Sequence, residues 1–171
     1  LDALRQMDSD TLRATINGDT LAHIAAAEGH QKVIQYLHEV VPDTLRTKNI
    51  NNATPTHNAA VEGKLEVLEY LHEVVPNTLL AVDHNGETPA HWAAQGGHLE
   101  IIQYLYEVLP ETLSTLANNG DTPAHFAADE GHLDIIKFIH EVVPKTLWIR
   151  NKDGWMTASC AEDNDQSAVV D

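Results

Sequence analysis

The sequence is poor in residues that several common protein classes require. It contains one cysteine, Cys160, so no disulfide can form within the chain, and this favours a reducing compartment. No stretch approaches the run of about 18 apolar residues that a membrane-spanning helix needs, and the first residues lack the apolar centre of a secretory signal. We therefore expect an intracellular, cytoplasmic location.

Basic residues are also scarce, with ten Lys and Arg against twenty-six Asp and Glu, which gives a formal net charge of −16. From Leu65 to Ile136 there is no Lys or Arg, whereas the same stretch carries twelve acidic residues. Nucleic acids and anionic membranes repel such a surface, so we expect neither as a partner. The acidic residues serve either solubility or the binding of a partner with a Lys- or Arg-rich segment, and charge alone leaves both open.

The sequence repeats itself with a period of 34 residues, which is the signature of a stacked repeat protein. A Thr and a His three residues after it recur in every unit, followed by Ala-Ala, a glycine and an apolar run that ends in proline. The recurring residues are Thr20, Thr54, Thr88 and Thr122, and His23, His57, His91 and His125. We place the four units at 17–50, 51–84, 85–118 and 119–152.

Each unit has the sequence signals of two helices joined by a turn. In the third unit, Thr88 is a good N-cap and Pro89 suits the first helical position. Gly97 favours the end of this short helix, and a second helix from about Leu99 must stop before Pro110. Neither helix can bury its apolar face alone, so we predict an all-α solenoid stabilised by contacts between neighbouring units.

The two ends of the chain do not contain complete units. Residues 1–16 align with the end of a preceding repeat, namely part of a second helix and its loop, because Leu1 and Leu4 match Ile34 and Leu37. Residues 153–171 follow the repeat only weakly and are interpreted as a degenerate or truncated repeat. We therefore expect this sequence to be a piece of a longer protein.

The repeated motif resembles that of the ankyrin repeat family. Its pattern, Gly-x-Thr-Pro-x-His-x-Ala-Ala-x-x-Gly-His, is almost complete from Gly86 to His98 and from Gly120 to His132. The resemblance implies an ankyrin-repeat solenoid of stacked helix-turn-helix units with projecting turns, expected to be monomeric. This variant of the repeat is also similar to arrays in effectors of intracellular bacteria, which would act in the host cytoplasm.

Two departures from the family pattern carry structural expectations. The family commonly has Leu between Pro and His, whereas Ala or Thr stands here, so we expect Trp92 and Phe126 to fill the core instead. The loop after the second helix is also one residue longer than usual. We expect an extra turn there, with an apolar residue of each unit tucked beneath it: Leu45, Leu79, Leu113 and Leu147.

The eleven histidines raise the alternative of a metal site, since pairs such as His91 and His98 recur seven residues apart. Because these pairs occupy fixed repeat positions without a third converging ligand, a metal site is not expected. The resemblance implies instead that the imidazoles bond backbone groups of adjacent turns. There is no phosphate-binding glycine loop, no nucleophile elbow and no catalytic partner for Cys160, so we expect neither a cofactor nor an enzyme.

The resemblance implies a module for protein–protein interaction, or a scaffold. Partners of the family usually contact the concave face, which the turn tips and the exposed side of the first helix form. Carried over unit by unit, the candidate partner-binding residues are Asp19, Glu28, Val61, Glu62, His84, Glu87, Gln95, Asp121, Asp129 and Glu130. The alternative is a structural spacer that orients catalytic or targeting domains elsewhere in a longer protein.

Overall fold

A computed structural model describes residues 2–157, and four helix pairs stacked side by side form most of it. In each pair a short first helix is followed by a longer second helix and then by a 3-10 helix. In chain order the α-helices are α1 (Ser9–Arg13), α2 (Leu21–Ala27), α3 (Gln31–Val40), α4 (Pro55–Val61), α5 (Leu65–Val74), α6 (Pro89–Gly96), α7 (Leu99–Val108), α8 (Pro123–Asp129) and α9 (Leu133–Val142). The predicted all-α stack is confirmed.

The first helices begin and end where the sequence signals place them. In α6, Thr88 is the N-cap and Pro89 the first helical residue, while His91 takes the place that Glu or Gln holds in the usual capping box. Gly97 ends the helix with φ 77°, a left-handed conformation that costs glycine little. Such a short helix needs both caps and its neighbours, because an isolated helix of this length is marginal in water.

The extra turn predicted after each second helix is present as a five-residue 3-10 helix. These helices span Pro42–Arg46, Pro76–Leu80, Pro110–Ser114 and Pro144–Trp148. The leucine tucked beneath the turn is fully or almost fully buried in three of them, at Leu45, Leu79 and Leu113, and half-buried at Leu147. The longer loop is therefore part of the core rather than a surface insertion.

Alanine makes the close stacking of successive units possible. The first helices α2, α4, α6 and α8 pack against one another in order, and the alanines between them are almost inaccessible to solvent. Their small side chains let the helix backbones approach closely. The larger core residues come from the second helices and include Leu37, Leu71, Leu105 and Ile139.

The first turn of the array differs from a purely helical prediction. Two-residue strands, β1 (Thr15–Ile16) and β2 (Asp19–Thr20), pair antiparallel around Asn17 and Gly18, both of which have positive φ. Positive φ at both central residues is what a tight hairpin turn requires, and Asn-Gly supplies it. Before this hairpin lie a 3-10 helix, Leu4–Gln6, and α1, whose Leu12 is fully buried.

None of the helices in residues 2–157 is both long enough and apolar enough to cross a membrane. The expectations that concern Leu1, Cys160 and the rest of 158–171 fall outside the described residues.

Candidate partner-binding face

The projecting turns are fixed by side chains that hold their own backbone. The Asp83 carboxylate accepts hydrogen bonds from the backbone N–H groups of Asn85 at 2.8 Å and Glu87 at 2.9 Å. Asn49 repeats this geometry one unit earlier. Successive turns are also joined through the backbone, because Asn118 N–H donates to the Asn85 carbonyl at 2.7 Å. The tips therefore form a continuous, ordered edge.

The repeat histidines tie each first helix to the next turn. The Nδ1 atom of His91 accepts from the Thr88 backbone N–H at 3.1 Å, and its Nε2 lies 3.1 Å from the Asp121 carbonyl oxygen. Nδ1 is thus an acceptor, so the proton is on Nε2, which donates to the carbonyl. Burial lowers the pKa of His57 and of His91 to about 4, which keeps both rings neutral. His23 and His125 make the equivalent contacts.

A second histidine of the motif bonds to the preceding unit, whereas the first bonds to the following one. The Nε2 atom of His98 lies 2.9 Å from the carbonyl oxygen of Val61, and that of His132 lies 3.0 Å from the carbonyl oxygen of Gln95. Each carbonyl belongs to the first helix of the preceding unit. Both kinds of repeat histidine therefore have the structural role that the motif implies.

An open groove of about 570 Å³ lies between the turns and the first helices of the second to fourth units. Its lining combines two aromatic rings, one aliphatic side chain, a histidine, two carboxylates and three amides: Trp92, Phe126, Val61, His84, Asp83, Glu87, Asn51, Asn85 and Gln95. Trp92 and Phe126 each meet the histidine of the preceding unit edge-on, with ring centroids 5.3 Å apart. The groove is thus lined by groups from three successive units.

Glu87 is the half-buried carboxylate of this groove. Its Oε2 accepts a hydrogen bond from the Trp92 indole Nε1 at 3.1 Å. Burial raises the pKa of Glu87 above its ordinary value, and the nearby charges of Asp83 and Asp121 add to that rise. Hydrogen bonds from Asn85 and Trp92 act in the opposite direction.

The turn geometry and the histidine contacts agree with a comparison against known families. A family model for ankyrin repeats, three copies long, matches residues 3–78 and again 72–145. The chain belongs to the ankyrin repeat family. No curated protein matches it. Ankyrin repeats are generally protein-interaction modules and are typically non-catalytic.

The ankyrin array brings four of the predicted binding residues together in the groove: Val61, His84, Glu87 and Gln95. Four others are exposed at the ends of first helices: Glu28, Glu62, Asp129 and Glu130. The remaining two are engaged in bonds between turns. Asp19 accepts from the Asn49 side chain at 2.7 Å, and the buried Asp121 accepts from the Asn151 side chain at 2.8 Å.

Sequence reasoning missed the surface role of Trp92 and Phe126. Both were expected in the core, and one side of each ring does pack there, but both are half-buried and line the groove. A signal was available in the sequence, because the equivalent positions hold Ile24 and the polar Asn58. A repeat position that accepts Ile, Asn, Trp and Phe is not a uniform core position.

Among residues 2–157, no three side chains of the His, Cys, Asp and Glu types come together as a metal-binding group. The paired repeat histidines instead bond to carbonyl groups of different units, as His91 does to Asp121 and His98 to Val61.

Proposed function

We propose that this ankyrin array binds another protein on its concave face, the surface formed by the turns and the first helices, and does not itself catalyse a reaction. The observation that carries the proposal is the groove on this face, in which Val61, Glu87 and Trp92 from neighbouring units lie together. An aromatic anchor such as Trp92 among polar groups is typical of the energetic centre of a protein interface.

The rigidity of the face supports this proposal. Histidine bonds such as His57 Nε2 to the Glu87 carbonyl, at 3.1 Å, hold each turn against the preceding helix. Backbone bonds between the turns hold the tips at a fixed spacing. A preformed surface loses little conformational entropy on binding, so more of the contact energy is available for affinity.

The charge of the face favours a partner with a Lys- or Arg-rich segment. Glu28, Glu62 and Glu130 occupy the same repeat position and are all exposed. Glu87 adds a further carboxylate within the groove itself. Attraction of this kind accelerates association and weakens as salt screens it, over about 10 Å at 0.1 M ionic strength.

The proposal also includes a monomeric array inside a cell, where a lone cysteine stays reduced. If the chain derives from a secreted bacterial effector, that cell is the host. A role as a spacer between other domains is the alternative outcome of the following experiment.

The experiment selects binding peptides from a random display library and measures their affinity for matched charge variants at two salt concentrations. In the concave variant, Glu28→Lys, Glu62→Lys and Glu130→Lys reverse the charge at these three exposed positions. In the control, Glu66→Lys, Glu73→Lys and Glu107→Lys make the same charge change on exposed positions of second helices. We expect basic peptides whose affinity falls about tenfold or more in the concave variant only. Equal effects in both variants, or no selected peptide, would favour the spacer role.

A further inference from the structure

The centre of the groove has an unusual combination of groups around Glu87. The carboxylate is fixed by the Trp92 indole, whose half-buried ring lines the same groove. Side-chain amides of Asn51, Asn85 and Gln95 complete a polar rim. These groups come from two turns and one first helix, so the spacing of the units sets their separation.

Glu87 has no cationic partner among the described residues. The nearby charges that act on it are those of Asp83 and Asp121, both negative. Its hydrogen-bond donors, the Trp92 indole and the Asn85 side chain, are neutral. A half-buried carboxylate beside two others is destabilised by desolvation and repulsion, and a bound cation relieves both.

The chemistry of the groove discriminates among possible occupants. An anion would face Asp83 and Glu87 and is repelled. An apolar side chain would complete the desolvation of Glu87 without pairing it, which is costly. A Lys ammonium would pair with the carboxylate as a compact point charge, but it has only three donors and no planar surface to lie against the indole ring.

A guanidinium group matches all three kinds of partner at once. It is planar, carries five N–H donors in a fork, and stacks on aromatic faces while it pairs with a carboxylate. Cation–π contact is strongest on tryptophan, and the aliphatic stem of an arginine side chain could pack against Val61.

We propose that the groove is a specificity subsite for a single arginine side chain of the bound segment, with Glu87 as its counter-ion and Trp92 as its stacking platform. This inference rests on the proposed function, because it assigns one residue of the basic segment to one place on the concave face. It also predicts that this position of the bound segment prefers arginine to lysine, which the net charge of the face does not predict.

The probe is N-acetyl-arginine-N-methylamide, and the readout is the indole N–H resonance of Trp92 in NMR spectra. Trp92→Phe assigns that resonance, and the indoles of Trp148 and Trp155 serve as internal references. We expect saturable shifts of the Trp92 resonance alone. The affinity of the corresponding citrulline and lysine compounds should be lower by about tenfold or more. Citrulline keeps the shape of arginine without its charge. No shift of Trp92, or equal binding of the three compounds, would overturn the subsite.

Glu87→Gln supplies the matched variant, since glutamine keeps an oxygen that can accept from the Trp92 indole. Binding of the arginine compound should fall about tenfold or more, whereas Glu100→Gln, an exposed change outside the groove, should have no effect.

The peptides selected from the display library distinguish this inference from the proposed function. If they lose affinity in the Glu28, Glu62 and Glu130 variant but not in Glu87→Gln, the face is correct and the arginine subsite is wrong. If they bind both the concave variant and Glu87→Gln normally, the proposed face itself is wrong.

Discussion

At the scale of single residues, one imidazole in each unit joins a helix start to the next turn. In His91 the two ring nitrogens act on Thr88 and on Asp121 respectively, so the ring must stay neutral and singly protonated. A ring in such a position contributes both a cap and a link between units. Replacing this histidine should therefore lower the free energy of unfolding by more than the loss of its side-chain packing alone would.

We expect His91→Ala to lower the free energy of unfolding by about 1–3 kcal/mol, because buried hydrogen-bonding groups of the backbone lose their partner. Urea unfolding monitored by circular dichroism measures the change. His84→Ala is the control, since His84 is exposed on a neighbouring turn and its side chain makes none of these bonds. Equal destabilisation by the two variants would show that the imidazole links are unimportant.

Acid should weaken the array through the same rings. The pKa of His57 and of His91 is about 4 in the folded chain, against an ordinary value of 6.5, so the unfolded chain binds these protons at higher pH. Their contribution to stability is complete above about pH 6.5 and is lost progressively as the pH falls towards 4. Burial lowers the pKa of His23 in the same direction.

Urea midpoints at about pH 7 and about pH 5 test this, with the double variant His57→Gln, His91→Gln as control. The variant should be less stable at neutral pH but should lose less stability on acidification than the natural sequence. Equal losses would show that other groups cause the acid sensitivity.

Sequence reasoning at this scale found the role of the histidines but not that of every acid. Asp121 stood at a tip position and was expected to be available to a partner. The structure buries it against Asn151, which lies thirty residues further along the chain. A contact between turns depends on the stacking distance, which a single unit of sequence does not contain.

At the scale of elements, the 3-10 helix after each second helix converts a longer loop into additional core. Pro110 stops the α-helix, and the chain then turns so that Leu113 is fully buried while Leu116 remains 53% exposed. The proline and the Thr-Leu that follows recur in every unit, which is why the sequence predicts this turn. The hairpin at Thr15–Thr20 was missed because two-residue strands are too short to show an alternating pattern.

We expect Leu113→Ala to destabilise the array by about 2–5 kcal/mol, since it removes a buried side chain and leaves a cavity. Leu116→Ala makes the same chemical change three residues later at an exposed site, and it should stay within about 0.5 kcal/mol of the natural sequence. Urea unfolding compares the two. Comparable losses in both variants would mean that the 3-10 helix is not part of the core.

At the scale of the whole molecule, neighbouring units contact each other through their turns, their first helices and their second helices. Histidine-to-carbonyl bonds and backbone bonds join the turns, alanines pack the first helices, and tyrosine hydroxyls join the second helices. The Tyr70 hydroxyl lies 2.8 Å from His38 Nδ1, and the Tyr104 hydroxyl 2.7 Å from His72 Nδ1. These connections fix the register between neighbouring units.

The groove itself could be predicted only in part. Repeat position identified Val61, Glu87 and Gln95 as surface residues of one face, but not that they line a common groove with Trp92. That arrangement depends on the offset between three units. Whether the acidic residues serve binding or solubility is likewise tested by changing charges on the concave face and not by the net charge of the chain.

The most direct test of the proposed binding face is the amide NMR footprint of a selected basic peptide on the natural chain. We predict that the shifted amides cluster at Asn51, at 83–87 and at 92–95, with those of α7 at 99–108 unchanged. A footprint centred on the second helices, or one spread evenly over both faces, would contradict binding at the concave face.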